Sequence, residues 1–263
     1  RRRDVEFGLS APVRGPLANA AHLKILAGKA ETLGYDYLSV ADHIVVPKQI
    51  NSDYPYSKTG DFPWADGGNI ECMEQFALLS WLIGITTKIR LLTSVTVIPH
   101  RNPLFMAKSL ATMDRLSNGR ITFGCGAGWM SEEFEALGLP AFSQRGRVTN
   151  EYIESIKLIW TDDQPTYNGN FVKFSDIGME PKPLQKPHPP IWIGGESVRA
   201  LKRTVDVGDV WYPFGTNPSF SMDTIASYRD RVNILREFSE KANRDPNTIG
   251  LAYNCAFHSS RPQ

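Results

Sequence analysis

The chain has almost no excess of charge: 29 Lys+Arg stand against 28 Asp+Glu over 263 residues, a formal net charge of +1. That balance offers no field for a nucleic acid or an anionic membrane surface, and neither is expected as a partner. Long apolar runs are missing as well. The best, Phe76 to Ile85, is short, contains Ser80 and reads as part of an amphipathic helix, whereas a bilayer crossing needs about 18 uninterrupted apolar residues. Cysteine is scarce. Cys72, Cys125 and Cys255 are far apart and odd in number, giving neither a disulfide framework nor a zinc pattern, so a reduced, cytoplasmic protein is the expectation. The five histidines show no ligand spacing, and no metal site is expected. Arg1-Arg2-Arg3 suggests an export signal, but Asp4, Glu6 and a strand-like segment follow where its apolar region should lie.

What is present is ordinary globular composition, 41% hydrophobic and 22% charged, on a chain long enough to bury one large core. Short apolar runs alternate with helix-period segments. Val5 to Ser10 reads as a strand, and Leu23, Leu26, Ala27, Ala30 and Leu33 then share a helical face that stops at Gly34. Tyr37 to Ala41, Ile89 to Val97 and Ile121 to Gly126 are the next strands. Helices over Glu71 to Ile85 and from Pro103 to the Asn118-Gly119 stop separate them. The second half repeats the rhythm with a helix from about Arg145 and a hairpin over 166–174 around the two-residue turn Asn168-Gly169. Strands at Ile191 to Gly194, Asp209 to Tyr212 and Ile249 to Phe257 follow, with helices from about Val198 to Val205 and Asp223 to Asn243 between them.

Such alternation needs crossover helices and so a parallel sheet. An open doubly wound sheet and a (β/α)₈ barrel both fit; about 250 residues is the usual barrel size, and the barrel is preferred. The count is one strand short, so the eighth strand and last helix are expected to be missing from this chain. No linker divides it, and residues 1–263 are expected to form a single domain with an insertion loop over 47–69.

A barrel of this kind works at the C-terminal ends of its strands. Those ends hold Asp42-His43, Ser94-Val95, Gly124 through Trp129, and Gly194-Gly195-Glu196-Ser197. The strand-four glycines lack the dinucleotide spacing. They suit either backbone approach to a planar ring or phosphate, or tight packing; packing is as good a reading for Gly124, and ligand approach the better one for Gly126 and Gly128. Gly194-Gly195 ahead of a helix start is a seat for phosphate, with Ser197 as cap and Glu196 an awkward neighbour unless it points outward. The loop over 47–69 carries Tyr54, Tyr56, Phe62 and Trp64 with Asp53, Asp61 and Asp66: a lid over substrate, a partner contact, or a loop packed on itself. Arg145 and Arg147 serve either structure or an acidic cofactor tail, and His100 reads as a solvated loop histidine.

Four fragments carry a family resemblance across nearly the whole chain. They are Val40-Ala41-Asp42-His43-Ile44-Val45-Val46-Pro47; Asp114-Arg115-Leu116-Ser117-Asn118-Gly119-Arg120 leading into Gly124-Cys125-Gly126-Ala127-Gly128-Trp129; Arg145-Gly146-Arg147; and Pro189-Pro190-Ile191-Trp192-Ile193-Gly194-Gly195. In this order the sequence resembles the bacterial-luciferase-like oxidoreductases (luciferase-like monooxygenase domain), and within them the deazaflavin subgroup that uses coenzyme F-420. The resemblance implies a (β/α)₈ TIM barrel with insertions. It also implies hydride transfer between F-420 and a small organic substrate, and assembly as a homodimer.

By the same resemblance, Asp42 and His43 are the catalytic candidates beside the cofactor ring, with His43 suited to exchange a proton. Cofactor contacts are expected from Asp42, Ser94, Val95, Gly126, Ala127, Gly128, Gly194, Gly195 and Glu196. A bulge with a cis peptide bond is expected between Ser94 and Val95, although by residue type alone this stretch is simply a β-branched strand. Trp129 stands where some relatives have a polar residue and, with Trp64, is expected to wall the substrate pocket. Two rivals remain: an FMN-dependent monooxygenase on the same fold, and a cofactor-binding barrel without turnover.

Overall fold

The computed structural model describes residues 5–63 and 71–255. Its first half runs β1 (Gly8–Ser10), α1 (Ala20–Leu33), β2 (Tyr37–Val40), α2 (Gln75–Ile85), β3 (Arg90–Thr93), β4 (Thr96–Val97), α3 (Pro103–Leu116), β5 (Ile121–Gly126) and α4 (Ser131–Ala136). The second half continues with α5 (Arg145–Thr161), β6 (Tyr167–Asn168), β7 (Lys173–Phe174), β8 (Ile191–Gly194), α6 (Val198–Val207), β9 (Val210–Tyr212), α7 (Ile225–Lys241) and β10 (Gly250–Leu251).

The staves are parallel and lie in the order β1, β2, β3, β5, β8, β9, β10. β4 continues the third stave beyond a break at Ser94-Val95 and pairs with β5. This is an α/β fold whose strands curl into part of a (β/α)₈ barrel. Among the described residues seven staves are present, and β1 and β10 each have one neighbour. The central stave β5 is buried at all six positions, as a strand covered on both faces must be.

Local chemistry explains the helix ends. Asn19 caps α1 by accepting from His22 N, and Gly34 ends it in the left-handed region at φ 76. The stop after α3 uses the same region at Asn118 (φ 58) and Gly119 (φ 77). Glu74 caps α2 by accepting from Ala77 N, so this helix starts at Gln75 rather than Glu71. Two apolar clusters fill the fold: a large one between the strands and α1, α2, α3 and α5, and a smaller one of α6, α7 and β9 around Leu201, Trp211 and Leu235.

Several expectations need correction. Leu33 is 71% exposed: at 100° per residue it has rotated about 80° from Leu23, off the buried stripe. Ile225, at the start of α7, is exposed too, because the buried stripe of that helix begins two turns later at Val232. The last strand is confined to Gly250–Leu251, with a further bridge from Asn254 to Phe214, and residues beyond 255 lie outside the described part. The hairpin has a four-residue loop, not a two-residue turn, since Asn168 pairs with Lys173. A carboxylate from α5 shapes it: Glu151 accepts from the amides of Asn170, Phe171 and Val172 at 2.8, 2.5 and 2.7 Å.

The barrel wall leaves no room at Gly124, where a Cβ would stand 1.9 Å from the Thr93 carbonyl oxygen of the neighbouring strand. Gly124→Ala is therefore expected to abolish soluble folded protein or to lower the thermal midpoint steeply. Gly84→Ala on α2, where a Cβ meets nothing within 4 Å, is the control and should be neutral or gain up to about 1 kcal/mol. Equal midpoints for the two variants would refute this packing account.

Candidate active site

The C-terminal ends of β1, β2, β3, β5, β8 and β9 enclose a cavity of about 890 Å³. This volume lies within the usual range for sites of small molecules and cofactors. All four sequence-selected strand ends reach it: Asp42 and His43, Ser94 and Val95, Gly126 through Trp129, and Gly194 through Ser197.

Asp42 is buried and both its oxygens are spent. Arg101 approaches in a bidentate pair at 2.7 and 2.8 Å, and Val97 N donates at 2.9 Å. The guanidinium also reaches Glu74 at 2.7 Å and lies 4.8 Å over the Phe76 ring. Burial alone would weaken its hold on a proton, but the two carboxylates more than offset this and raise its pKa above the ordinary arginine value. Asp42 thus ties the end of β2 to β4 and to the turn that follows.

His43 is also buried, and its Nδ1 meets Glu133 Oε2 at 2.8 Å. Glu133, on α4 and 1% exposed, already accepts through Oε1 from Ile44 N at 2.8 Å and Val45 N at 3.2 Å. A carboxylate acting as acceptor requires the proton on Nδ1, which leaves Nε2 as the basic nitrogen of neutral His43. Glu133 was missed from sequence because Ser131-Glu132-Glu133 reads as the acidic first turn of a solvated helix.

His100 is not a solvated loop histidine; its residue exposure is 7%. Its Nδ1 lies 3.8 Å from Glu133 Oε1 and its ring packs edge-on against Phe134. Among the described residues neither ring nitrogen has a hydrogen-bond partner. Burial, partly countered by Glu133 and Asp42, holds its pKa below the ordinary histidine range. The unfolded chain takes this proton near pH ~6.5. The folded state resists it, so the stability it contributes is present above that pH and lost as pH falls toward the folded value. His100→Phe is expected to flatten the fall of the thermal midpoint between about pH 6.5 and 5. An unchanged slope would show that this imidazole is not the acid-sensitive group.

The peptide bond between Ser94 and Val95 is cis, as the resemblance implied. Ser94 Oγ lies 3.0 Å from the Tyr212 hydroxyl, which accepts from Asn254 Nδ2 at 2.9 Å. The Val95 side chain sits between two glycines. A Cβ at Gly126 would come within 2.5 Å of it, and one at Gly194 within 3.0 Å. At Gly128 (φ 83) a Cβ would meet Phe134 and Val97 at 2.8 Å. Packing thus demands glycine at Gly126 and Gly128 as well as at Gly124, although Gly126 and Gly128 also line the cavity.

At the far side Gly195 adopts φ 108 ahead of α6, and its carbonyl accepts from Trp211 Nε1 at 2.9 Å. Ser197 caps the helix by accepting from Ala200 N. Glu196 points inward: it accepts from Phe214 N and Asn217 Nδ2, each at 2.7 Å, and burial raises its pKa despite these bonds. Arg145 and Arg203 line the cavity here. They donate to Gly128 O and Phe142 O, and to Asn150 Oδ1 and Gly146 O. Burial lowers the pKa of both, and no ion pair found among the described residues includes either. Arg147 instead lies 5.7 Å from the Phe171 ring, away from the cavity lining.

The loop after β2 packs as an aromatic cluster. Trp129 contacts Tyr54 and Phe62 at ring separations of 5.1 and 4.9 Å, and Tyr56 contacts Phe214 at 4.8 Å. The His43 ring lies 5.5 Å from Phe62 and 6.5 Å from Trp129. Trp64 and Asp66 lie outside the described residues.

Residues 5–262 match the family described as luciferase-like monooxygenase. An uncharacterised protein of Mycobacterium tuberculosis is 34% identical over 165 residues, 63% of this chain and 57% of its own length. The FMNH(2)-dependent dimethylsulfone monooxygenase of Pseudomonas putida is 38% identical over 133 residues, 50% of this chain and 36% of that protein. The chain thus spans little more than half of the first relative and about a third of the second. Among solved structures, an F-420-dependent secondary alcohol dehydrogenase in complex with an F-420-acetone adduct superposes with a TM-score of 0.73 at 21% identity. The match covers 94% of this chain and 68% of that one, a likeness of fold.

Proposed function

We infer, from the premise that this chain belongs to the luciferase-like monooxygenase family, that it transfers a hydride between the deazaflavin coenzyme F-420 and a small organic substrate. The observation that carries this reading is a buried histidine at the cavity wall, held through Nδ1 by an equally buried carboxylate. Oxidising an alcohol requires a base for the hydroxyl proton, and reducing a carbonyl or activated alkene requires an acid. His43 Nε2 is the atom proposed to hold that proton, and Glu133 would stabilise the imidazolium that results.

The remaining residues fit a flat cofactor with an anionic arm. Val95, seated between Gly126 and Gly194, offers a shelf at the broken stave for a planar ring. Gly194, Gly195 and the start of α6 offer main-chain donors, and Arg145 and Arg203 supply positive charge that, among the described residues, no carboxylate neutralises in an ion pair. When bound, the deazaflavin supplies two-electron chemistry without the oxygen activation open to a flavin. Asp42 is proposed to fix the floor of the site through Arg101 and Val97 N rather than to exchange protons itself. Tyr54, Phe62 and Trp129 would exclude water from one side of the pocket, with substrate entering beneath them.

A second reading, reduced FMN and oxygen in place of F-420, is favoured by the 38% identity to the dimethylsulfone monooxygenase. Titration with each cofactor, followed by visible absorbance and fluorescence, separates the two. Saturable binding of F-420, with hydride transfer to or from a panel of alcohols and enones, is the expected result. Saturable FMN binding with no response to F-420 would overturn it.

A further inference from the structure

Glu133 stands between two buried histidines, and the reading above uses only one of them. Its Oε2 holds His43 Nδ1 at 2.8 Å; its Oε1 faces His100 Nδ1 at 3.8 Å. Packing against Phe134 does not itself require an imidazole, since an apolar ring would make the same edge-on contact. Yet His100 carries two buried ring nitrogens without a hydrogen-bond partner among the described residues, an arrangement that calls for a specific explanation.

We propose that His100 is a positioning residue for His43, acting through the carboxylate that both face. While His100 is neutral, the charge of Glu133 is left to His43. A proton taken up by His100 draws that charge toward Oε1 and away from His43. The charged and titratable groups around His100 are Glu133 from α4, Asp42 and His43 from the segment after β2, and the adjacent Arg101. Asp42 is saturated by Arg101 and Val97 N, which leaves Glu133 Oε1 as the oxygen a protonated His100 can turn to. A shift of under about 1 Å brings the pair to hydrogen-bonding distance. The same oxygen accepts from Ile44 N and Val45 N, so the shift also loosens the base of the loop that carries Tyr54, Tyr56 and Phe62.

This inference rests on His43 being the proton-exchanging group, but its test needs no cofactor. Histidine side chains labelled with ¹⁵N are followed by NMR from pH 4.5 to 8 in the ligand-free protein, with the His43 signals assigned by loss in His43→Gln. The wild-type His43 signal is expected to report two steps, one coinciding with the titration of His100. In His100→Phe and His100→Gln a single step should remain, because the second cation that competes for Glu133 is gone. In Glu133→Gln, substituting His100 should no longer move His43. A single-step His43 curve in the wild type, or one unmoved by either His100 substitution, overturns the proposal. His100→Gln keeps a polar side chain and carries the variant arm where the phenylalanine protein does not fold. Failure of F-420 and FMN to bind would sink the functional reading and leave this test standing.

Discussion

Replacing His43 with Ala is expected to lower kcat for hydride transfer by about 10²–10⁴-fold, the contribution of a positioned general acid or base. Cofactor affinity should stay within a few-fold, because the proposed cofactor contacts come from the ends of β3, β5 and β8. His43→Gln keeps the volume and polarity and should be nearly as slow, since an amide cannot exchange the proton. Glu133→Gln should fall between wild type and His43→Ala. It removes the carboxylate charge that stabilises the imidazolium and replaces one of its two acceptor oxygens with a donor, so the Nδ1–H tautomer is no longer enforced while the imidazole stays in place. Stopped-flow reduction of F-420 by a responsive alcohol measures all three. Wild-type rates in His43→Ala across pH 5 to 9 would remove this residue from the chemistry.

Arg101→Ala is expected to be the most damaging change to stability among the polar residues of the site. Asp42 has 0% of its side chain exposed and Arg101 8%, so the pair is screened little by water. Breaking a buried ion pair by deleting one partner leaves an uncompensated charge and costs about 3–5 kcal/mol. For a chain of this length that is a fall of roughly 10 °C in the thermal midpoint. The second leg of the network contributes much less, because Glu74 is 42% exposed and such pairs are worth about 1 kcal/mol at most. Adding Asp42→Asn to Arg101→Ala should recover part of the loss by removing the orphaned charge. Differential scanning calorimetry of the two single variants and the double variant decides the matter; a midpoint in Arg101→Ala within 2–3 °C of wild type would contradict it.

Three of the four strand ends were legible in the sequence because each is a short string of residues whose types contrast with the apolar run before it; Ser94-Val95 continues a β-branched strand by type and was marked by its place at a strand end and by the family resemblance. Their convergence followed from the barrel reading, and all four line one cavity. The reasons for individual residues were less legible. Gly126 and Gly128 read as openings for a ligand, yet the side chains of Val95, Val97 and Phe134 already require glycine there. His100 reads as a solvated histidine because it lies three residues before a helix-starting proline; burial comes from Phe134 and Glu133, more than thirty positions away. Glu196 read as an outward residue or an obstacle, and it is instead the inward acceptor for the loop after β9.

By itself the sequence determined the succession of strands and helices, where most of them begin and end, and which residues stand at the mouth of the barrel. Those features depend on side-chain period, capping groups and left-handed stops, all of which act within a few residues. Only the tertiary structure decided which charges meet. Glu133 reaches His43 across 90 positions and Arg101 reaches Asp42 across 59. No periodicity spans such separations; the curvature of the sheet brings these groups together, and their burial makes each pairing necessary.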